Sequence, residues 1–171
     1  MTPPNILKLL RGGDRRSIGR SDEVAAQVTK DPRLFPQLIA GLWNDDPVIR
    51  IRAADAAEKV TREHPELLAP FKQELLGLAA ETDQHELRWH LAAMIPRLPL
   101  EAHERNRAIS ILKTYLDDKS SIVKTFALQA LADLTRNHKT LRSAVIGILE
   151  SAIRTGTPAM KARSRKLLKS L

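Results

Sequence analysis

The chain has no cysteine among its 171 residues, which excludes disulfide stapling, a thiolate nucleophile and a cysteine-ligated zinc site, and fits a reducing compartment. Aromatic residues are scarce at 4%, whereas alanine and leucine are plentiful, a balance suited to helices packed at close range. No apolar run is long enough to cross a bilayer. Met1-Thr2-Pro3-Pro4-Asn5 leads into an amphipathic stretch rather than a signal-peptide core. The alternation that marks strands is missing as well. The expectation is an all-α, soluble, cytoplasmic protein without membrane association, long enough to bury a real core.

The formal charge of +8 is unevenly placed. Residues 31–154 hold 17 basic and 17 acidic side chains, residues 1–30 six against three, and residues 155–171 five basic ones and no acid. The excess sits at the two ends, so it speaks less for nucleic acid than the overall basicity suggests.

What is present is a repeat. Segments 49–60 (IRIRAADAAEKV), 87–98 (LRWHLAAMIPRL), 123–134 (VKTFALQALADL) and 160–171 (MKARSRKLLKSL) align without gaps, their starts 38, 36 and 37 residues apart. Counting each first residue as zero, offsets 0, 4, 7, 8 and 11 form one stripe on a helix. Nineteen of those twenty residues are apolar; the exception is Ser164. A shorter apolar helix precedes each segment, at roughly 34–43, 70–80, 104–116 and 140–154.

Helix-start signals stand in the turns. Asp46-Pro47 and Thr157-Pro158 place an N-cap before a first-turn proline. Asp83 with Glu86 has the spacing of a capping box, and Ser120 or Ser121 can cap the third segment. Towards the N-terminus, residues 5–11 suit a short helix broken by Gly12-Gly13, and residues 21–30 suit another stopped by Asp31-Pro32. Residues 1–31 are read as an irregular cap with a basic glycine-containing loop, since terminal repeats are commonly atypical.

The run Asn44-Asp45-Asp46-Pro47-Val48-Ile49-Arg50, followed by Ala53, Ala54, Ala56 and Ala57, resembles the HEAT-repeat consensus. That consensus has an Asp and a Pro in the turn, a Val-Arg pair, then alanines and a leucine. Asp117-Asp118, Val123-Lys124, Ala127 and Ala130-Leu131 are similar; Asp83 with Leu87-Arg88 keeps part of the pattern, and Met160-Lys161 keeps least. The resemblance covers residues 32–171. It implies a right-handed α-solenoid (an armadillo-like α-α superhelix) of about four and a half hairpins, with repeats at about 32–66, 67–100, 101–138 and 139–171. Such arrays serve as scaffolds for many partners, so the resemblance says more about fold than about function.

At offset 1 stands a basic column, Arg50, Arg88, Lys124 and Lys161. In HEAT-type repeats this residue commonly pairs with a turn aspartate, and Asp45, Asp46, Asp83, Asp117 and Asp118 are at hand. Lys161 has no turn acid before it. If the second helices line a concave face as the resemblance implies, Arg52, Arg88, Arg163, Arg165 and Lys166 form a basic stripe there, diluted by Asp55, Glu58 and Asp133. Trp89, off the apolar stripe, is either an anchor for a partner or a packing residue against the preceding repeat. Trp43, ending a first helix, reads as core.

No catalytic grouping stands out. His85 and His90 are five apart and do not share a helix face as a metal-binding pair four apart would. The other histidines, His64, His103 and His138, read as loop or helix-end residues, so no metal and no cofactor are expected. The loop 11–20 lacks a phosphate-cradling pattern and reads as a mobile linker, with Ser17 behind Arg15-Arg16 a weak acceptor pattern for phosphorylation. The leading expectation is a non-catalytic scaffold that binds a protein, with Arg52, Arg88, Trp89, Lys161, Arg163, Arg165 and Lys166 as candidate contacts. A nucleic-acid module using the basic stripe is the alternative, with a remote DNA-glycosylase-like variant built on Trp89 and Asp55. Oligomeric state stays open: the outer side of the fourth hairpin is uncapped, which leaves room for end-to-end dimerisation.

Overall fold

A computed structural model describes residues 5–171; the first four residues of the expected N-terminal cap lie outside the described residues. Among the described residues the fold is all-helical, with nine α-helices, six short 3-10 segments and no strand. Two compact units divide the chain, Met1–Lys72 and Gln73–Leu171.

The first unit opens with a 3-10 turn, Ile6–Leu10, whose two end residues are fully buried. The exposed loop 11–20 leads into α1 (Ser21–Lys30), and α2 (Phe35–Ala40) follows a 3-10 turn at Pro32–Leu34. Another 3-10 turn, Gly41–Trp43, precedes the long α3 (Pro47–Glu63). The Asp46 side chain accepts from the Val48 N–H at 2.8 Å with Pro47 behind it, as its sequence signal predicts. Ala53, Ala54, Ala56 and Ala57 are wholly buried, and their small size lets α1 and the α2 hairpin close on α3 from two sides. The approach is tight at Gly41, where a Cβ would sit 2.9 Å from that of Ala53. Trp43 departs from expectation: it is 47% exposed, because the 3-10 turn ends the hairpin and turns the indole outward while Leu42 takes the core position.

In the second unit α4 (Lys72–Glu81) is followed after a short turn by α5 (His85–Met94), α6 (Ala102–Thr114) packs on α7 (Ser121–Thr135), and α8 (Lys139–Thr155) on α9 (Pro158–Leu168). The second helices α5, α7 and α9 lie side by side, with α6 and α8 packed against α7. Ser120 and Thr157 cap α7 and α9 by accepting the N–H groups of Val123 and Met160. The expected box at Asp83 and Glu86 does not form, since α5 starts one residue later, with Gln84 as an N-cap that makes no side-chain capping bond. A capping box does form where none was expected, at Glu101 and Glu104 on α6. Buried Glu104 also accepts from Gln73 Nε2 at 2.6 Å, which ties α6 to α4. The carbonyls of Ser170 and Leu171 accept from Arg136 and Arg142 at 2.8 and 2.9 Å.

The apolar stripe is the core. Eighteen of its twenty positions are buried, all but Leu168 and Leu171. Ser164 is wholly buried too, and its hydroxyl has no hydrogen-bond partner.

Candidate functional site

The candidate residues divide by what their side chains meet. Arg52 is not on an open surface: it is 2% exposed. Its guanidinium donates to the carbonyls of Leu10, Asp14 and Ser17 at 2.8, 2.9 and 3.1 Å, and to that of Gly12. The loop 11–20 is therefore folded around a buried arginine rather than running free as a linker. Gly12, Gly13 and Gly19 supply the positive φ that this path requires, and at Gly19 a Cβ would lie 2.7 Å from Arg52 Cζ. Asp55, named in the glycosylase-like reading, is also engaged, by Ser21 Oγ at 2.5 Å and Lys59 Nζ at 2.6 Å.

Arg88 is withdrawn from the stripe in another way. Its Nε donates to Thr82 O at 2.8 Å in its own turn, and Nη1 to Asp118 Oδ2 at 2.6 Å in the turn before α7. The Asp118 side chain is fully covered, and its Oδ1 accepts from the Ser120 N–H at 2.7 Å and lies 2.8 Å from His85 Nδ1. Burial pushes the Asp118 carboxyl up, but the Ser120 N–H, the Arg88 guanidinium and the charge of His85 together hold it below its ordinary value. The Arg88 guanidinium lies 5.2 Å from the centroid of Tyr115, whose hydroxyl donates to Ala79 O at 2.7 Å. This is one pair of the kind expected of the basic column, joining α5 to the turn before α7. Arg50 donates to the carbonyls of Asn44 and Asp45 in its own turn. Lys124, half-buried, makes no ion pair with a turn acid among the described residues.

The remaining candidates lie on the second unit. Trp89 is half-buried, its ring 5.5 Å from that of His90. Arg163, Arg165 and Lys166 are exposed on α9 and Lys161 is half-buried. Offsets 3 and 6 put Arg163 and Lys166 on one flank, whereas offsets 1 and 5 put Lys161 and Arg165 on the other, so the four do not form one ridge. Arg163 Nη1 donates to Gln129 Oε1 of α7 at 2.8 Å, and Thr125, Phe126, Gln129 and Arg163 line a shallow cleft between the two helices.

The sequence reading did not single out the apolar half of this surface. Ile122 is 50% and Phe126 38% exposed, four residues apart on the outer face of α7. A signal existed: both are large apolar residues that fall outside the stripe at offsets −1 and 3. The site is thus an apolar pair on α7 beside two cations on α9, with no catalytic pairing in it. It has the chemistry of a contact surface. Comparisons with protein-family models, with curated proteins and with solved structures find no match.

Proposed function

We propose that the chain is a HEAT-type repeat array, stacked as a right-handed α-solenoid, that acts as a non-catalytic scaffold and binds a protein segment on its second helices. The observation that carries the reading is the exposed pair Ile122 and Phe126 on α7, set beside Arg163 and Lys166 on α9. Large apolar side chains at a surface, rimmed by charge, suit a protein contact. The regular side-by-side packing of α5, α7 and α9 supports the stacked arrangement.

A second reading, a nucleic-acid module, is favoured by the acid-free basic segment 155–171. It is weakened by the loss of Arg52 to the interior and of Arg88 to Asp118. Binding of a labelled duplex and a labelled single strand across a salt series separates the two. The scaffold reading predicts no affinity in the micromolar range at low salt. Micromolar or tighter binding that falls steeply as salt rises, and is lost on joint replacement of Arg163, Arg165 and Lys166, establishes the nucleic-acid reading instead.

A further inference from the structure

The outer face of α7 and α9 has a counterpart in the first unit that is already occupied. By repeat position, Arg52, Asp55 and Lys59 of α3 correspond to Phe126, Gln129 and Asp133 of α7 and to Arg163, Lys166 and Ser170 of α9. On α3 the chain's own N-terminal segment covers these positions. Arg52 gathers four backbone carbonyls, Ser21 donates to Asp55, and Lys59 meets Asp22. The occupant is a polypeptide in a non-repetitive path that enters a helix, recognised through its carbonyls and one carboxylate.

At the equivalent positions Phe126 and Asp133 of α7 and Arg163 and Lys166 of α9 are exposed, while Gln129 is half-buried and hydrogen-bonded to Asp133 and Arg163, and the Ser170 carbonyl accepts from Arg136. Arg163 takes the place of Arg52, and one contact, to Gln129, engages it. Lys166 has no hydrogen bond or ion pair among the described residues. Phe126 puts a large apolar side chain where α3 has Arg52, and beside it Ile122, at the position of Val48, is 50% exposed. No acid lies within 155–171 to compensate the cations.

We propose that this face of α7 and α9 binds a partner protein's segment in which acidic residues flank a large apolar side chain, seated as the N-terminal segment is seated on α3. The inference deepens the scaffold reading and rests on it. The apolar side chain covers Ile122 and Phe126, the segment's carbonyls meet Arg163, and a carboxylate meets Lys166.

The test uses the full chain and fluorescence anisotropy with three probes: a short peptide of leucine and glutamate, the same peptide with glutamine for glutamate, and an oligothymidylate. The glutamate peptide is expected to bind, and the glutamine peptide to bind at least ~10-fold more weakly. Phe126→Ala, and separately the double change Arg163→Glu with Lys166→Glu, should each weaken binding by about 10-fold while the unfolding midpoint stays near that of the parent. The double change touches only exposed side chains, so it decides the matter should Phe126→Ala impair folding. Peptide binding indifferent to both changes overturns this site and leaves the scaffold reading standing. Failure of the glutamate peptide to bind overturns the acidic partner. Oligothymidylate binding that exceeds peptide binding and is lost on the double change overturns both readings.

Discussion

Arg88 of α5 and Asp118, thirty residues later in the turn before α7, meet at 2.6 Å around a carboxylate that no solvent reaches. This pair, with His85 and the Ser120 N–H on the same carboxylate, joins these two elements of the second unit. Removing one partner of a buried pair leaves the other uncompensated. Asp118→Ala should therefore cost about 3 kcal/mol in denaturant unfolding. A loss under about 1 kcal/mol would place the pair among ordinary surface bridges.

The same carboxylate predicts a pH dependence. Its folded value is depressed, so its stabilisation is complete above the unfolded carboxylate value of ~3.9 and is lost as pH falls through the folded one. The stability difference between the parent and Asp118→Asn should be larger at about pH 5 than at about pH 3 and shrink steadily between them. Denaturant melts of both proteins over that range check it. A difference that grows on acidification would mean the opposite sign.

Ser164 is the only polar residue in the apolar stripe, and its buried hydroxyl lacks a partner. Thr61 and Thr135, buried in other second helices, donate to the carbonyls four residues back. Ser164→Ala removes an unsatisfied group with little loss of volume and should stabilise the protein by about 1 kcal/mol. Differential scanning calorimetry would register this as a raised Tm, and a lowered one would show that the hydroxyl is satisfied in solution.

Arg52 holds the loop 11–20 by its carbonyls, so Arg52→Ala should free the loop. Trypsin cleavage after Arg11, Arg15 and Arg16 should accelerate by about an order of magnitude or more. Gly19→Ala should act in the same direction, because φ there is +56° and the added Cβ meets the guanidinium. Cleavage rates equal to the parent's in both variants would mean that the loop keeps its path without the arginine.

The stripe was legible because burial repeats with the helical period, and a local pattern carries that information. Caps at Asp46, Ser120 and Thr157 were legible for the same reason. The box at Asp83 and Glu86 failed because the start of α5 slipped by one residue, and the spacing of two side chains does not fix that register. Arg52 and Arg88 were not separable in sequence, since both are arginines beside an apolar stripe. Their fates depend on carbonyls 35 to 42 residues upstream in one case and on a turn 30 residues downstream in the other. Trp43 misled because an indole on a first helix reads as core, whereas a terminal 3-10 turn rotated it into solvent. Ile122 and Phe126 lie off the stripe, but a second helix packed on several sides buries apolar residues off the stripe too, so their exposure is not legible from spacing alone.

Backbone-amide NMR of the isotope-labelled full chain, titrated with the glutamate–leucine peptide and then with a DNA duplex at physiological salt, tests the central claim most directly. The account predicts that the peptide shifts resonances in 122–129 and 163–166 and leaves α3 unmoved, while the duplex shifts neither. A duplex that perturbs 163–166 while the peptide leaves both stretches unmoved would contradict it.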